Sequence, residues 1–150
     1  MPAHYLRWVD HLDEAQREPL QPLLDVLALE RSQLATAPAP WLRWWRTSGE
    51  SELRCILMVG WDPVGAVDAG WDEYDTYLDG IANVVRRPCA PERSAELLAE
   101  HLGQIGREWM GGVSDEQSHR NRRVAEAIVA WYAWTLDRGR ISEPPSADPM

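Results

Sequence analysis

Between its prolines the chain repeats apolar residues at helical spacing, and that period is hard to reconcile with a sheet. Leu20, Leu23, Leu24, Leu27 and Leu34 form one stripe, entered through Pro19 and Pro22. Ala95, Leu98, Leu102, Ile105 and Trp109 form another, opened by Pro91 with Glu92 in the first turn and closed by Gly111-Gly112. Val124, Ala127, Ile128, Trp131 and Thr135 mark a last helix over about 114–137, stopped by Gly139. Tyr5, Trp8, Val9 and Leu12 predict a first helix, and residues 35–40, with two prolines, a loop. Trp41, Trp44 and Trp45 have one-turn spacing. Thr47-Ser48-Gly49-Glu50 reads as a capping box that starts a new helix with Thr47 as N-cap. The apolar run Leu53 to Val59 suits strand or helix. The cap ahead of it and the lack of a partner strand favour helix. The expectation is an all-α fold, a compact bundle of about five to seven helices with an N-terminal helical extension. At 150 residues one domain is expected, over 1–140, with a helical subdomain at 1–50 and a disordered tail at 141–150.

Charge is distributed unevenly along this pattern. Asp62, Asp68, Asp72, Glu73, Asp75 and Asp79 fall within twenty residues with no Arg or Lys among them, in a chain of formal net charge −9. Unpaired charges on this scale do not fit a core, so the stretch is expected to face water, a cation or a basic partner. A helix over about 71–87 would put Tyr74, Tyr77, Leu78, Ile81, Val84 and Val85 on one face and Asp72, Asp75 and Asp79 on the opposite one. A solvated acidic face and a face complementary to a basic protein both suit that pattern. Gly60 to Gly70 reads as a turn in which Asp62 caps the bend begun by Pro63, with Trp61 and Tyr74 packing it against the helix. The cluster His119-Arg120-Asn121-Arg122-Arg123 is expected to pair with carboxylates of this same chain, including those of the acidic helix.

Several functions are disfavoured. A negative chain makes nucleic acid and anionic membranes poor partners, and no apolar run approaches the ~20 residues that cross a bilayer. The first residues lack the apolar segment of a signal peptide, which predicts a cytoplasmic protein. Cys55, in an apolar run, reads as a core residue and Cys89 as a loop residue; both are expected to be reduced, although a disulfide remains open. The four histidines form no metal-ligand or catalytic spacing, and no P-loop, G-x-S-x-G or G-x-G-x-x-G occurs. Gly103-x-x-Gly106 reads as a close-packing site within a helix. The acidic spacing matches neither an EF-hand loop nor the Glu-x-x-His of di-iron bundles. No enzyme, metal or cofactor is therefore expected.

The segments Trp61-Asp62-Pro63-Val64-Gly65, Asp72-Glu73-Tyr74-Asp75 and Arg107-Glu108-Trp109-Met110-Gly111 together carry a resemblance. They resemble the signature of a family of small bacterial helical proteins of unknown function, roughly E-W-D-P-[IV]-G, then D-E-Y-D, then a helix ending near E-x-M/F-G. The likeness covers about residues 52–135. Gly60 departs from the usual acidic or polar residue before the Trp, and the linker between the first two motifs is short. The resemblance implies an all-α fold and an association with antitoxin or immunity proteins. On that view Trp61, Asp62, Pro63, Gly65 and Tyr74 hold the fold. Asp68, Trp71, Asp72, Glu73, Asp75 and Asp79 are the candidate partner-binding residues, and the expected partner is a cognate basic toxin domain. Two other readings stand beside it: a carboxylate-metal enzyme or sensor using the same acids, and a housekeeping helical interaction domain.

Overall fold

A computed structural model describes residues 13–62, 74–139 and 141, and the fold is all-α, with no strand among the described residues. Helix α1 (Glu14–Arg17) begins at a reciprocal cap: Gln16 N–H donates to Asp13 Oδ1 at 2.8 Å, and Asp13 N–H to Gln16 Oε1 at 2.9 Å. A 3₁₀ turn (Glu18–Leu20) leads into α2 (Gln21–Leu34), which carries Pro22 in its first turn, where a missing N–H costs little. Leu23, Leu27 and Leu34 are the buried part of its stripe, while Leu20 and Leu24 stay half-buried. The predicted helix containing Tyr5, Trp8, Val9 and Leu12 lies outside the described residues.

From Ala39 to Trp61 the chain is continuously helical: α3 (Ala39–Trp44), a π segment (Trp45–Gly49), α4 (Glu50–Ile56) and a second π segment (Leu57–Trp61). The expected capping box at Thr47 is therefore absent. Thr47 sits inside a helix, and its hydroxyl donates to Arg43 O at 2.9 Å. The Leu53 to Val59 run is helical, and no break falls at residue 50. The burial pattern accounts for the π turns. Trp41, Trp45, Gly49, Leu53, Leu57 and Trp61 are all buried, one residue in four. In an α-helix each four-residue step drifts by about 40°, or about 200° over this run, which would carry the stripe out of the core. Two wider π turns hold it against the rest of the protein. Cys55 is exposed on the opposite side of this helix, contrary to its reading as a core residue, and Cys89 is exposed as well; both are free thiols.

Gly49 is required by close approach. A Cβ built there would lie 2.6 Å from Trp44 Cη2, and the Trp44 ring is held between Trp41, Trp45, Trp131 and Tyr132 with centroids 5.5–6.3 Å away. Gly49→Ala gains about 1 kcal/mol of helix propensity and loses more to displacement of that ring. A net loss of about 1–2 kcal/mol is expected in urea denaturation.

A 3₁₀ turn (Asp75–Tyr77) precedes α5 (Leu78–Val85), followed by α6 (Pro91–Trp109) and α7 (Asp115–Asp137). Ala95, Leu98, Leu102 and Ile105 bury the α6 stripe, with Trp109 half-buried at its end. Gly111 and Gly112 turn the chain at φ 87° and 127°, and Gly112 N–H closes on Gly106 O at 2.9 Å. Gly106 is buried beside Val113: a Cβ there would lie 2.7 Å from Val113 Cγ2. Ser114 Oγ caps α7 by accepting from Gln117 N–H at 3.0 Å. The inward face of α7 is Asn121, Val124, Ala125, Ile128, Tyr132 and Thr135; Ala127 is exposed and Trp131 half-buried. Ile141, expected to begin a disordered tail, is 4% exposed and packs into the core.

Helix α6 packs along α7, and α5 lies in the middle, touching α2, α4, α6 and α7. Three indole N–H groups tie distant elements together. Trp41 donates to Tyr132 Oη at 2.9 Å, Trp61 to Asn121 Oδ1 at 2.7 Å, and Trp131 to Glu52 Oε1 at 2.9 Å. A buried indole N–H usually finds such an acceptor; Trp44 Nε1, buried in the aromatic cluster, has no hydrogen-bond partner among the described residues.

Candidate functional site

The acidic stretch divides when its residues are located. Pro63, Gly65, Asp68, Trp71, Asp72 and Glu73 lie outside the described residues. The others are accounted for within the fold. Trp61 is 1% exposed, and its ring lies 5.2 Å from that of Tyr74, which is 2% exposed. The Tyr74 hydroxyl donates to Asp62 Oδ1 at 2.8 Å. Asp62 ends the long helix with φ 31°, a left-handed conformation that Asp tolerates better than most residues, and its N–H donates to Leu57 O at 2.9 Å.

Asp75 is held by Arg54 in a fork, with Nε to Oδ1 at 2.7 Å and the terminal nitrogen to Oδ2 at 3.0 Å. Glu50 joins from one turn away at 3.4 Å. The hydrogen bond from Asp75 is the largest influence on Arg54 and drives its pKa further up, against the opposing effect of burial. Asp79 is the clear correction. Expected on a wet face beside Asp72 and Asp75, it is 3% exposed. The periodicity argument assumed that α5 has one solvent side, but every residue of α5 except Asn83 is buried.

The basic cluster pairs along its own helix. Arg120 reaches Glu116 at 3.4 Å and Arg122 reaches Glu126 at 3.7 Å. These are exposed i, i+4 pairs worth a few tenths of a kcal/mol each. The expected pairing with the acidic helix is seen instead from Arg54.

A second polar site has no counterpart in the sequence reading. A cleft of about 250 Å³ opens between α2, α5 and α6. Glu30 from α2 and His101 from α6 meet inside it, with Oε2 and Nε2 3.9 Å apart and side chains 16% and 20% exposed. His101 Nε2 is buried and has no hydrogen-bond partner among the described residues. Gly80 makes room for the carboxylate, since a Cβ on it would lie 2.6 Å from Glu30 Cδ. Asn83 fastens the same place by donating to Glu30 O at 2.8 Å.

Desolvation, and then the charge of Asp79, push the Glu30 carboxyl from its ordinary 4.5 up to about 7. Burial, and then Arg87, lower the pKa of His101, so its imidazole is neutral near pH 7. Strongly perturbed groups meeting in a cleft are a recognised mark of a functional site. The one available signal in the sequence was a glycine in the middle of an apolar helix, next to an aspartate. Among the described residues no group of three His, Cys, Asp or Glu side chains is arranged to hold a metal ion, and no helix is long and apolar enough to cross a membrane. In comparisons with protein-family models, curated proteins and solved structures, nothing matched this chain.

Proposed function

We propose that this protein acts by binding rather than by catalysis: an acidic immunity protein that neutralises a basic toxin domain. The observation that carries the reading is the run of six carboxylates without a basic residue, in a chain of net charge −9. The members of such a run that face solvent attract and select a cationic partner and cover the cationic groove with which the partner would grip its own substrate. The specific assignment to toxin immunity rests on the resemblance carried by Trp61 to Gly65 and Asp72 to Asp75. A cytoplasmic location would follow from that role.

The geometry narrows the recognition set. Asp75 is engaged by Arg54 and Asp79 is buried, so the proposed recognition set reduces to Asp68, Asp72 and Glu73, which lie outside the described residues. The apolar anchors narrow too. Trp41, Trp44, Trp45 and Trp61 are committed to the core, whereas Trp134 is 46% exposed with Arg138 5.1 Å from its ring centroid. Trp71 lies within the acidic stretch itself.

The test co-expresses this chain with candidate basic toxin domains, drawn first from adjacent genes, using growth as the readout. Protection by the native chain, lost when Asp68, Asp72 and Glu73 are all changed to Arg, is the expected outcome. Helicity and denaturation midpoint of the triple variant, measured alongside, separate loss of binding from loss of fold. Full protection by the variant would contradict the reading.

A further inference from the structure

We propose that the cleft between α2, α5 and α6 is a binding site for a primary ammonium group carried on a short apolar stem, received between Glu30 and His101. This site is separate from the acidic stretch and does not depend on the toxin reading.

The geometry selects the head group. Glu30 Oε2 and His101 Nε2 are 3.9 Å apart, too far to bond one another; Nε2 is itself covered, and a small turn of the imidazole toward the cleft lets one nitrogen reach both at about 2.8 Å. An ammonium carries three donors and no acceptor, and so suits a carboxylate oxygen beside the lone pair of a neutral imidazole. It would also supply the partner that buried His101 Nε2 lacks. The charged side chains that line the cleft are Glu30 from α2, Glu108 from α6 and Arg87 just beyond α5, a net negative set that favours a cation. The walls select the stem. Leu23, Leu27, Val84 and Ile105 line the cleft with Tyr77 and Trp109, and Val26 and Leu29 form an exposed apolar rim, 42% and 59% exposed. At about 250 Å³ the space suits a stem of a few carbons or one ring.

Such a ligand is either a free amine or the lysine side chain of another protein, and two probes separate them. Phenethylamine stands for the first and Nα-acetyl-lysine amide for the second, each titrated by calorimetry or by chemical-shift change at His101. Saturable binding of at least one probe, with Kd on the order of millimolar, is expected for so small a ligand. Binding of both probes assigns the site to lysine side chains as well as free amines, and binding of phenethylamine alone to free amines.

Because Glu30 must be ionised to bind, affinity should rise about tenfold from pH 6 to pH 8. Glu30→Gln should weaken binding at least tenfold at pH 8 and abolish its pH dependence, and Arg87→Ala should strengthen it several-fold. Absence of saturable binding by either probe overturns the proposal, and so does binding that Glu30→Gln leaves unchanged. Circular dichroism on both variants, and the pH-dependent stability of Glu30→Gln discussed below, establish that they fold.

Discussion

Trp61→Ala lowers the free energy of unfolding by about 4 kcal/mol, within the range for deleting a fully buried aromatic side chain. Trp61 ends the long helix at 1% exposure, stacks at a tilt on Tyr74 and meets Tyr77 edge-on at 6.3 Å. Its N–H crosses to Asn121 on α7, so a single side chain joins three separate parts of the fold. Trp61→Phe should cost less, about 1–2 kcal/mol, because most of the ring contact survives. Asn121 Oδ1 also remains bonded by Gln117 Nε2 at 3.0 Å, which limits the desolvation penalty. Urea denaturation of the two variants checks both values. A loss below about 1 kcal/mol for Trp61→Ala would mean that Trp61 is not a core residue.

Glu30→Gln stabilises the protein at pH 8 by on the order of 2 kcal/mol and leaves it nearly unchanged at pH 4.5. The sign follows from the proton count. With a folded pKa of about 7 against an ordinary 4.5, Glu30 keeps its proton in the native state while the unfolded chain loses it. Between those values the native state binds more protons, so stability falls as pH rises and levels off above 7. The full shift would be worth about 3 kcal/mol at 1.4 per unit; the side chain keeps some contact with water, hence the smaller figure. His101 acts in the opposite direction. Its pKa is lowered in the fold, so its contribution is present above the ordinary 6.5 and is lost as pH falls through the folded value. The native chain alone therefore mixes two opposing trends. The difference between the native chain and Glu30→Gln, measured by denaturation from pH 4.5 to 8.5, isolates the carboxylate. A flat difference across that range would refute the account of the cleft.

The fold was legible wherever a stripe of apolar residues was bounded by proline or glycine, as in α2 and α6. Leucine spacing there predicted the buried face, and Pro22 and Pro91 marked the helix starts. Helix was expected on both sides of Thr47 and is found there, but the helix start at Thr47 is absent, because the buried period of this segment is four residues rather than 3.6. A helix that winds into π turns to keep such a stripe inward shows no boundary at Thr47, although the local sequence imitates one. Asp79 was misplaced for a different reason. Periodicity reports which residues share a face, but not how many neighbours a helix has, and α5 has neighbours on every side. The cleft was hard to see in one dimension: Glu30 and His101 sit on different helices, each among ordinary polar residues of a helical pattern, and Gly80 beside Asp79 in an apolar helix was the one signal.

The same corrections decide how the acidic stretch has to be tested. Reversing Asp75 would turn the Arg54 fork into a repulsion, and reversing Asp79 would bury an arginine, so either change would confuse loss of binding with loss of fold. The test therefore uses Asp68, Asp72 and Glu73, which lie outside the described residues, with the denaturation midpoint of the variant as its control for folding. The most direct measurement of the central claim is the association rate of this chain with the proposed basic toxin domain, by stopped flow, as a function of salt. An acidic recognition surface predicts a rate that falls at least about tenfold between 0.05 and 0.5 M salt, and a slower, nearly salt-independent rate for the Asp68→Arg, Asp72→Arg, Glu73→Arg variant. Equal rates and equal salt slopes for the two proteins would contradict it.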